Sequence, residues 1–168
     1  MPSVSRTLVG IAFVAALALA AERPMIVRGD AVEIGQAAPA FLINTLDGRK
    51  ITSNFNGRPA YIDVFATWCS PCRTELPAVI DQAKRYGDRI AFVLVDEQEQ
   101  RAAVERFTAS LGKEPPVAVD AGQFAATYAV GGLPWNIFID RHGVVQYIYR
   151  GNIPPAVLIE QLSKLASS

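Results

Sequence analysis

The chain has 168 residues, of which 51% are hydrophobic and 19% charged, with 16 Lys and Arg against 16 Asp and Glu. That is material for one packed domain plus a short extra segment. Balanced charge gives no electrostatic case for nucleic acid, and the apolar content argues against disorder over most of the length.

The N-terminus places Arg6 before an uncharged apolar run, Leu8–Ala21, with Ala18 and Ala20 at the −3 and −1 positions for a cut before Ala21. This is the layout of a secretory signal. The run is shorter than the roughly 18–20 residues expected of a membrane span. A cleaved signal peptide and a retained N-terminal anchor both fit residues 1–20, and either exports the domain to a compartment where disulfides persist. Residues 21–33 read as an extended linker, and residues 34–168 as the domain.

Within the domain, "FLINTLDGRKITS" predicts two short strands around Asp47-Gly48, a strong hairpin signal. "PAYIDVFAT" is a nearly continuous apolar run, as for a strand covered on both faces. "CRTELPAVIDQAKRYG" predicts a helix stopped by Gly87 and kinked at Pro77, which lacks the N–H for the i to i−4 bond. "RIAFVLVD" is a second buried strand. "EQEQRAAVERFTASLG" predicts an amphipathic helix carrying Ala103, Val104, Phe107 and Leu111, stopped by Gly112.

"PPVAVD" predicts a strand and "AGQFAATYAV" a short helix. "PWNIFID" and "GVVQYIYRG" predict antiparallel strands joined at Arg141-His142-Gly143. "PPAVLIEQLSKLA" closes the chain as a helix with Val157, Leu158, Leu162 and Leu165 on its apolar side. Alternating strands and helices in the middle imply parallel strands with crossovers. The expected fold is α/β: a central mixed sheet with helices on both faces and an N-terminal β-hairpin.

The only two cysteines are Cys69 and Cys72, in "FATWCSPCRTELP". A redox pair, half a metal site and a structural disulfide compete for them. A bridge over two intervening residues closes a very small loop and stabilises little, and a domain of this size needs no staple. One C-x-x-C supplies two zinc ligands where structural zinc needs four. The lone His142 falls in a predicted turn, where a solvated role is expected. Arg73 after Cys72 breaks the C-x-x-C-H pattern of haem attachment. No metal or cofactor is expected.

The pair follows a buried strand and opens a helix. Unpaired N–H groups and the macrodipole at a helix N-terminus favour an anion, and such settings lower a thiol from ~8.5 to roughly 3.5–7.5. Cys69 at the mouth is the expected attacking thiolate, and Cys72, one turn in, the more buried resolving thiol. Pro71 suits the first turn, and Ser70 and Pro71 are expected to tune the potential. Asp63, among Tyr61, Ile62, Val64 and Phe65, is costly to bury ionised. Its raised pKa suits it to take the proton of Cys72; the alternative is a strand residue facing solvent.

"YIDVFATWCSPCRTELP" resembles the active-site segment of thioredoxin-like proteins, and more closely the exported TlpA/ResA-like branch with its W-C-x-P-C-R-x-E-x-P pattern. Ala38-Pro39-Ala40-Phe41 and Leu46-Asp47-Gly48-Arg49 resemble that group's "APxF" and hairpin motifs. The resemblance runs from about Ile34 to the C-terminus. It implies a thioredoxin-like fold, a Cys69–Cys72 redox pair, and Trp68 beside it. Asp63 then matches thioredoxin's buried aspartate, where many TlpA-like members carry asparagine. Glu75 matches a glutamate that tunes proton transfer, or is an ordinary exposed helix carboxylate.

Pro134 matches a cis-proline facing the cysteines, with the Leu133 backbone available to an extended substrate. Leu133 and Trp135 are bulkier than the family's usual residues, and Trp135 either lines the partner groove or fills core. The implied activity is extracytoplasmic thiol–disulfide exchange, in the reducing direction, with cytochrome c maturation as one setting. The expected partners are disulfide-bearing extracytoplasmic proteins and a membrane thiol donor, and the expected state is a monomer. A peroxiredoxin-type peroxide reductase, a disulfide oxidase or isomerase, and a binding module with a static disulfide are the alternatives.

Overall fold

The computed structural model describes residues 32–112 and 114–168. The expected export segment at 1–20 and most of the expected linker at 21–33 lie outside the described residues. Among those described, no helix is long and apolar enough to cross a membrane.

The hairpin forms as β1 (Leu42–Asn44) and β2 (Lys50–Thr52), paired antiparallel with Ile43 opposite Ile51. Gly48 closes its turn at φ +84°, a left-handed conformation that favours glycine. A five-stranded sheet carries the rest, in the order β5-β4-β3-β6-β7. β3 (Ala60–Phe65), β4 (Ala91–Glu97) and β5 (Val117–Asp120) are parallel; β6 (Trp135–Ile139) and β7 (Val145–Arg150) continue it antiparallel. The central strand β3 is buried along its whole length, as its apolar run requires.

Side chains of β3 alternate between two cores. Tyr61 and Phe65 pack with Leu76 and Val79 of α1 (Ser70–Tyr86), Val104 of α2 (Arg101–Thr108) and Leu158, Leu162 and Leu165 of α4 (Pro155–Ser167). Ile62 and Val64 face the other way, onto Ile43, Phe55, Phe124 of α3 (Gln123–Thr127) and Tyr128. Asp63 shares the parity of Tyr61 and Phe65, so it points to the α1 side. Val32, at the start of the described chain, is buried in the second core.

Gly87 ends α1 at φ +53°, as expected of the stop. The helix is continuous across Pro77, which lies on its exposed side, so the proline does not split it. The helix expected to run to Gly112 instead ends at Thr108. The Thr108 hydroxyl donates to the Val104 carbonyl (2.8 Å), and Leu111 N–H turns back to the Thr108 carbonyl (2.9 Å). A hydroxyl competing for backbone partners favours termination.

Candidate active site

Sequence position alone carries Cys69 to the junction where β3 has ended and α1 begins. Cys69 is the N-cap of α1, with extended backbone (φ −75°, ψ 105°), and its sulfur accepts the Cys72 N–H at 3.2 Å. An orphan donor of the first turn is thereby satisfied by sulfur. Pro71 stands in that first turn, where it costs no hydrogen bond. The two cysteines form a disulfide with Cα atoms 5.3 Å apart. Cys69 keeps 4% exposure and Cys72 none. Ser70 and Pro71 are exposed beside them. Trp68 is 70% exposed, so it does not pack into the core.

The register of β6 on β3 brings a third segment to the same end of the sheet. Val64 pairs with Trp135, which sets Pro134 level with Phe65, just before the cysteine loop. The Leu133–Pro134 bond is cis, and the Pro134 carbonyl accepts the Gly151 N–H at 2.8 Å. Leu133 is half-buried against the core that contains both cysteines. Trp135 is 6% exposed, with the Arg150 guanidinium 4.6 Å from its ring centroid. Of the two roles open to Trp135, this burial fits core filling, capped by a cation on the ring face, and not an open groove wall.

Beneath the cysteines lies a polar network. Helical spacing puts Cys72 and Glu75 on one stripe of α1, three residues apart, and Glu75 is 3% exposed. An ordinary exposed helix carboxylate is therefore not what Glu75 is. Its Oε2 accepts the Ile153 N–H at 2.7 Å, and its Oε1 accepts from Asn136 Nδ2 at 3.4 Å. Asn136 pairs directly across from Asp63 in the β3–β6 register and accepts the Tyr61 hydroxyl. Asp63 is fully buried, so the solvent-facing alternative is excluded for it as well.

Neither oxygen of Asp63 has a donor among the surrounding protein groups. Two carboxylates side by side offer only acceptors, and one proton held between Asp63 and Glu75 supplies the missing donor. Burial, then the neighbouring Glu75 carboxylate, pushes Asp63 well above the usual carboxylate range. Burial pushes Glu75 up to about 7, against the pull of its bonds from Ile153 and Asn136. Burial and the two acids also keep the Tyr61 hydroxyl protonated, so it remains a donor to Asn136.

A second acidic pair flanks the loop from the other side. Glu99 takes the Thr67 N–H on Oε2 (2.5 Å) and the Thr67 hydroxyl on Oε1 (2.7 Å). Asp96, fully buried at the end of β4, accepts the Glu99 N–H at 3.2 Å. Burial, then the Glu99 carboxylate, pushes Asp96 up to about 8. Burial works against ionised Glu99, but hydrogen bonds from Asp96 and Thr67 hold it below its ordinary value.

Asn136, Tyr61, Thr67, Asp96 and Glu99 were not singled out from sequence as site residues. Asn136 carried the same signal as Asp63, a polar side chain inside an apolar run, and Asp96 closes such a run in "RIAFVLVD". His142 is exposed in its turn, its N–H bonded to Asp140 Oδ1 at 2.8 Å, away from this network.

The chain is similar to known proteins in sequence and in fold. The AhpC/TSA family pattern matches residues 34–148. The thiol–disulfide oxidoreductase ResA of Bacillus thuringiensis is 34% identical over 117 residues, 68% of each chain. The structure of a putative thiol:disulfide interchange protein DsbE from Chlorobium tepidum superposes with a TM-score of 0.75 at 28% identity, covering 81% of this chain and 99% of that one. The exposed lipoprotein thioredoxin Etrx1 of Streptococcus pneumoniae gives a TM-score of 0.67 at 26% identity, over 76% and 100%. With its C-x-x-C pair at the mouth of α1 and its thioredoxin-like sheet, the chain belongs to the AhpC/TSA family, as a thiol–disulfide oxidoreductase of the ResA/DsbE type.

Proposed function

We propose that the protein reduces disulfides of other extracytoplasmic proteins, with Cys69 as the attacking sulfur and Cys72 as the resolving one. The observation that carries this is the cap geometry: the Cys69 sulfur accepts a helix N-terminal N–H while Cys72 lies fully buried one turn below. A thiolate at Cys69 inherits that donor and the positive end of the helix dipole, which favour its ionisation.

In the reduced protein, the Cys69 thiolate attacks one sulfur of a partner disulfide. A mixed disulfide forms and one partner thiolate leaves. Cys72 gives its proton to the Asp63–Glu75 pair and attacks the Cys69 sulfur. The intramolecular disulfide forms, the second partner thiolate leaves, and two electrons have passed from the dithiol to the partner. With one proton held between them, the two carboxyls can take a second, no protein donor occupies the Asp63 oxygens, and a carboxyl titrating near neutrality is matched to a thiol proton. Trp68, Leu133 and cis-Pro134 provide the surface against which a partner segment lies, and Ser70 and Pro71 line its approach.

The apolar N-terminal segment and the exposed lipoprotein among the similar structures support an extracytoplasmic site of action. Reducing equivalents there come from a membrane thiol donor, and oxidised apocytochrome c is one partner class that fits. The test is turbidity of insulin treated with the reduced protein, together with the midpoint potential against glutathione. Insulin reduction and a reducing potential are expected. Intact insulin overturns the reading, a strongly oxidising potential reassigns it to an oxidase, and rapid peroxide consumption through a sulfenic acid at Cys69 reassigns it to a peroxide reductase.

A further inference from the structure

The β3–β4 ladder ends at Phe65 opposite Asp96, two residues short of Thr67. Beyond it, the Thr67 N–H has no strand to pair with, and an N–H at such a point needs a partner. The partner is a side chain. Gln98 adopts a left-handed backbone (φ +62°), bonds the Asp120 carbonyl through its N–H (3.0 Å), and turns the chain so that Glu99 reaches back to Thr67 with both oxygens. Glu99 is itself seated by its N–H on the buried Asp96. The other Asp96 oxygen has no protein donor. A proton kept by Asp96 and shared with Glu99 fills that gap.

Little else holds Thr67 itself. Trp68 is 70% exposed and adds no core packing. Two backbone ties hold Cys69: its carbonyl accepts the Arg73 N–H of α1 (3.1 Å), and its N–H donates to the Ala66 carbonyl (3.1 Å), closing the turn that contains Thr67. We propose that Glu99 is a positioning residue for Cys69, extending the β3–β4 ladder in side-chain form through Thr67 and so fixing the extended backbone that lets the Cys69 sulfur cap α1. The inference rests on the reading of Cys69 as the attacking sulfur. Glu99 touches neither sulfur; it acts through Thr67 and the turn.

Releasing Thr67 frees the turn, weakens the bond from the Cys72 N–H to the Cys69 sulfur, and removes stabilisation from the thiolate. The loss of negative charge at residue 99 acts in the opposite sense, making ionisation at Cys69 easier. Glutamine separates the two effects. Its carbonyl accepts the Thr67 N–H and its amide donates to the Thr67 hydroxyl, so Glu99→Gln keeps the clamp without the charge.

The test is iodoacetamide alkylation of Cys69 against pH in the reduced full-length protein, read by mass, with insulin reduction and far-UV circular dichroism on the same samples. On the acidic limb, Glu99→Ala is expected to slow alkylation about fivefold, through a smaller thiolate fraction, and to make the midpoint potential more reducing. Glu99→Gln stays within about twofold of native, and Thr67→Val, which removes one of the two bonds, falls between them. A Glu99→Ala profile that coincides with native overturns the inference, as does Glu99→Gln tracking Glu99→Ala. Should Glu99→Ala not fold, Thr67→Val decides: a native profile overturns the proposal. Insulin left intact by the native protein is instead the failure of the functional reading.

Discussion

Two pairs of acids flank the cysteine loop, and they differ in burial and in what they hold. Asp63 and Glu75 are both sealed under α1, with Asp63 making no hydrogen bond to any protein donor. Asp96 is equally buried, but its partner Glu99 is only half-buried and takes two hydrogen bonds from Thr67. In each, two acceptors face one another and a proton must sit between them. In the sealed pair the protein donors, the Ile153 N–H and Asn136 Nδ2, fall on Glu75 alone, which leaves the proton with Asp63, where no donor competes with its exchange with a thiol. The open pair settles its proton on Asp96 and leaves Glu99 ionised, which makes Glu99 a better acceptor for backbone. One chemical motif thus serves as proton carrier or as clamp according to whether one member meets solvent.

The largest expected consequence is in stability against pH, measured by urea unfolding of the oxidised protein. Asp63 and Glu75 keep protons in the folded state at pH values where the unfolded chain has lost them. The folded state then binds more protons, so stability falls as pH rises. With Glu75 moved from 4.5 to about 7, the loss across that window is on the order of 3 kcal/mol. Asp96, raised to about 8, adds in the same sense. Asp47, held far below the usual range first by the Arg49 side chain, changes stability only in acid and lies outside the window. Asp63→Asn is expected to flatten the slope more than Asp96→Asn, because its amide also supplies Glu75 with a donor. A stability that is level or rises between pH 5 and 8 contradicts the sealed-pair picture.

Next in size is a kinetic effect. On the proposed mechanism Asp63→Asn slows resolution of the mixed disulfide about a hundredfold and leaves the first attack by Cys69 within about threefold. Rapid acid quench of a reaction with a model disulfide separates the two steps. Equal slowing of both steps, or of neither, removes Asp63 from proton transfer.

What was legible in the sequence is what depends on local order. The apolar run through Phe65 dictates a buried strand, Gly87 a helix stop, and the four residues Cys69 to Cys72 a sulfur at the helix mouth. Asp63 was legible as a cost, since an acid among five apolar neighbours has to be compensated. Its compensation was not, because it depends on tertiary packing: the carboxyl that shares its proton, Glu75, comes from α1, and the Asn136 that seats Glu75 arrives only through the pairing of β3 with a strand about seventy residues later. Glu99 was hidden in "EQEQ", which reads as a solvated start to a helix; only the left-handed turn at Gln98 aims it at Thr67. The cis bond at Pro134 came from resemblance, as "GGLP" by itself marks a turn.

Asn136 ties the sealed pair to the sheet, and Asn136→Ala is expected to cost about 2 kcal/mol in urea unfolding. The Tyr61 hydroxyl is left buried without its acceptor and Glu75 loses a donor. The same change should steepen the fall of stability with pH, since the Asn136 bond holds Glu75 down. A cost with no change in pH slope would separate Asn136 from the acids and leave it a packing residue.

The smallest expected effect is the most discriminating between the two pairs. Thr67→Val keeps shape and the backbone N–H and deletes only the hydroxyl bond to Glu99. That bond is partly open to water, so its loss is expected to cost below about 1 kcal/mol and to leave the Asp63–Glu75 share of the pH slope unchanged, because neither sealed acid touches Thr67; only the share of Glu99, which the hydroxyl helps to hold down, shifts. If the open pair is a clamp, this variant alters the reactivity of Cys69 out of proportion to its stability. If instead both pairs store and move protons, Thr67→Val slows resolution of the mixed disulfide as Asp63→Asn does, and the distinction drawn from burial fails.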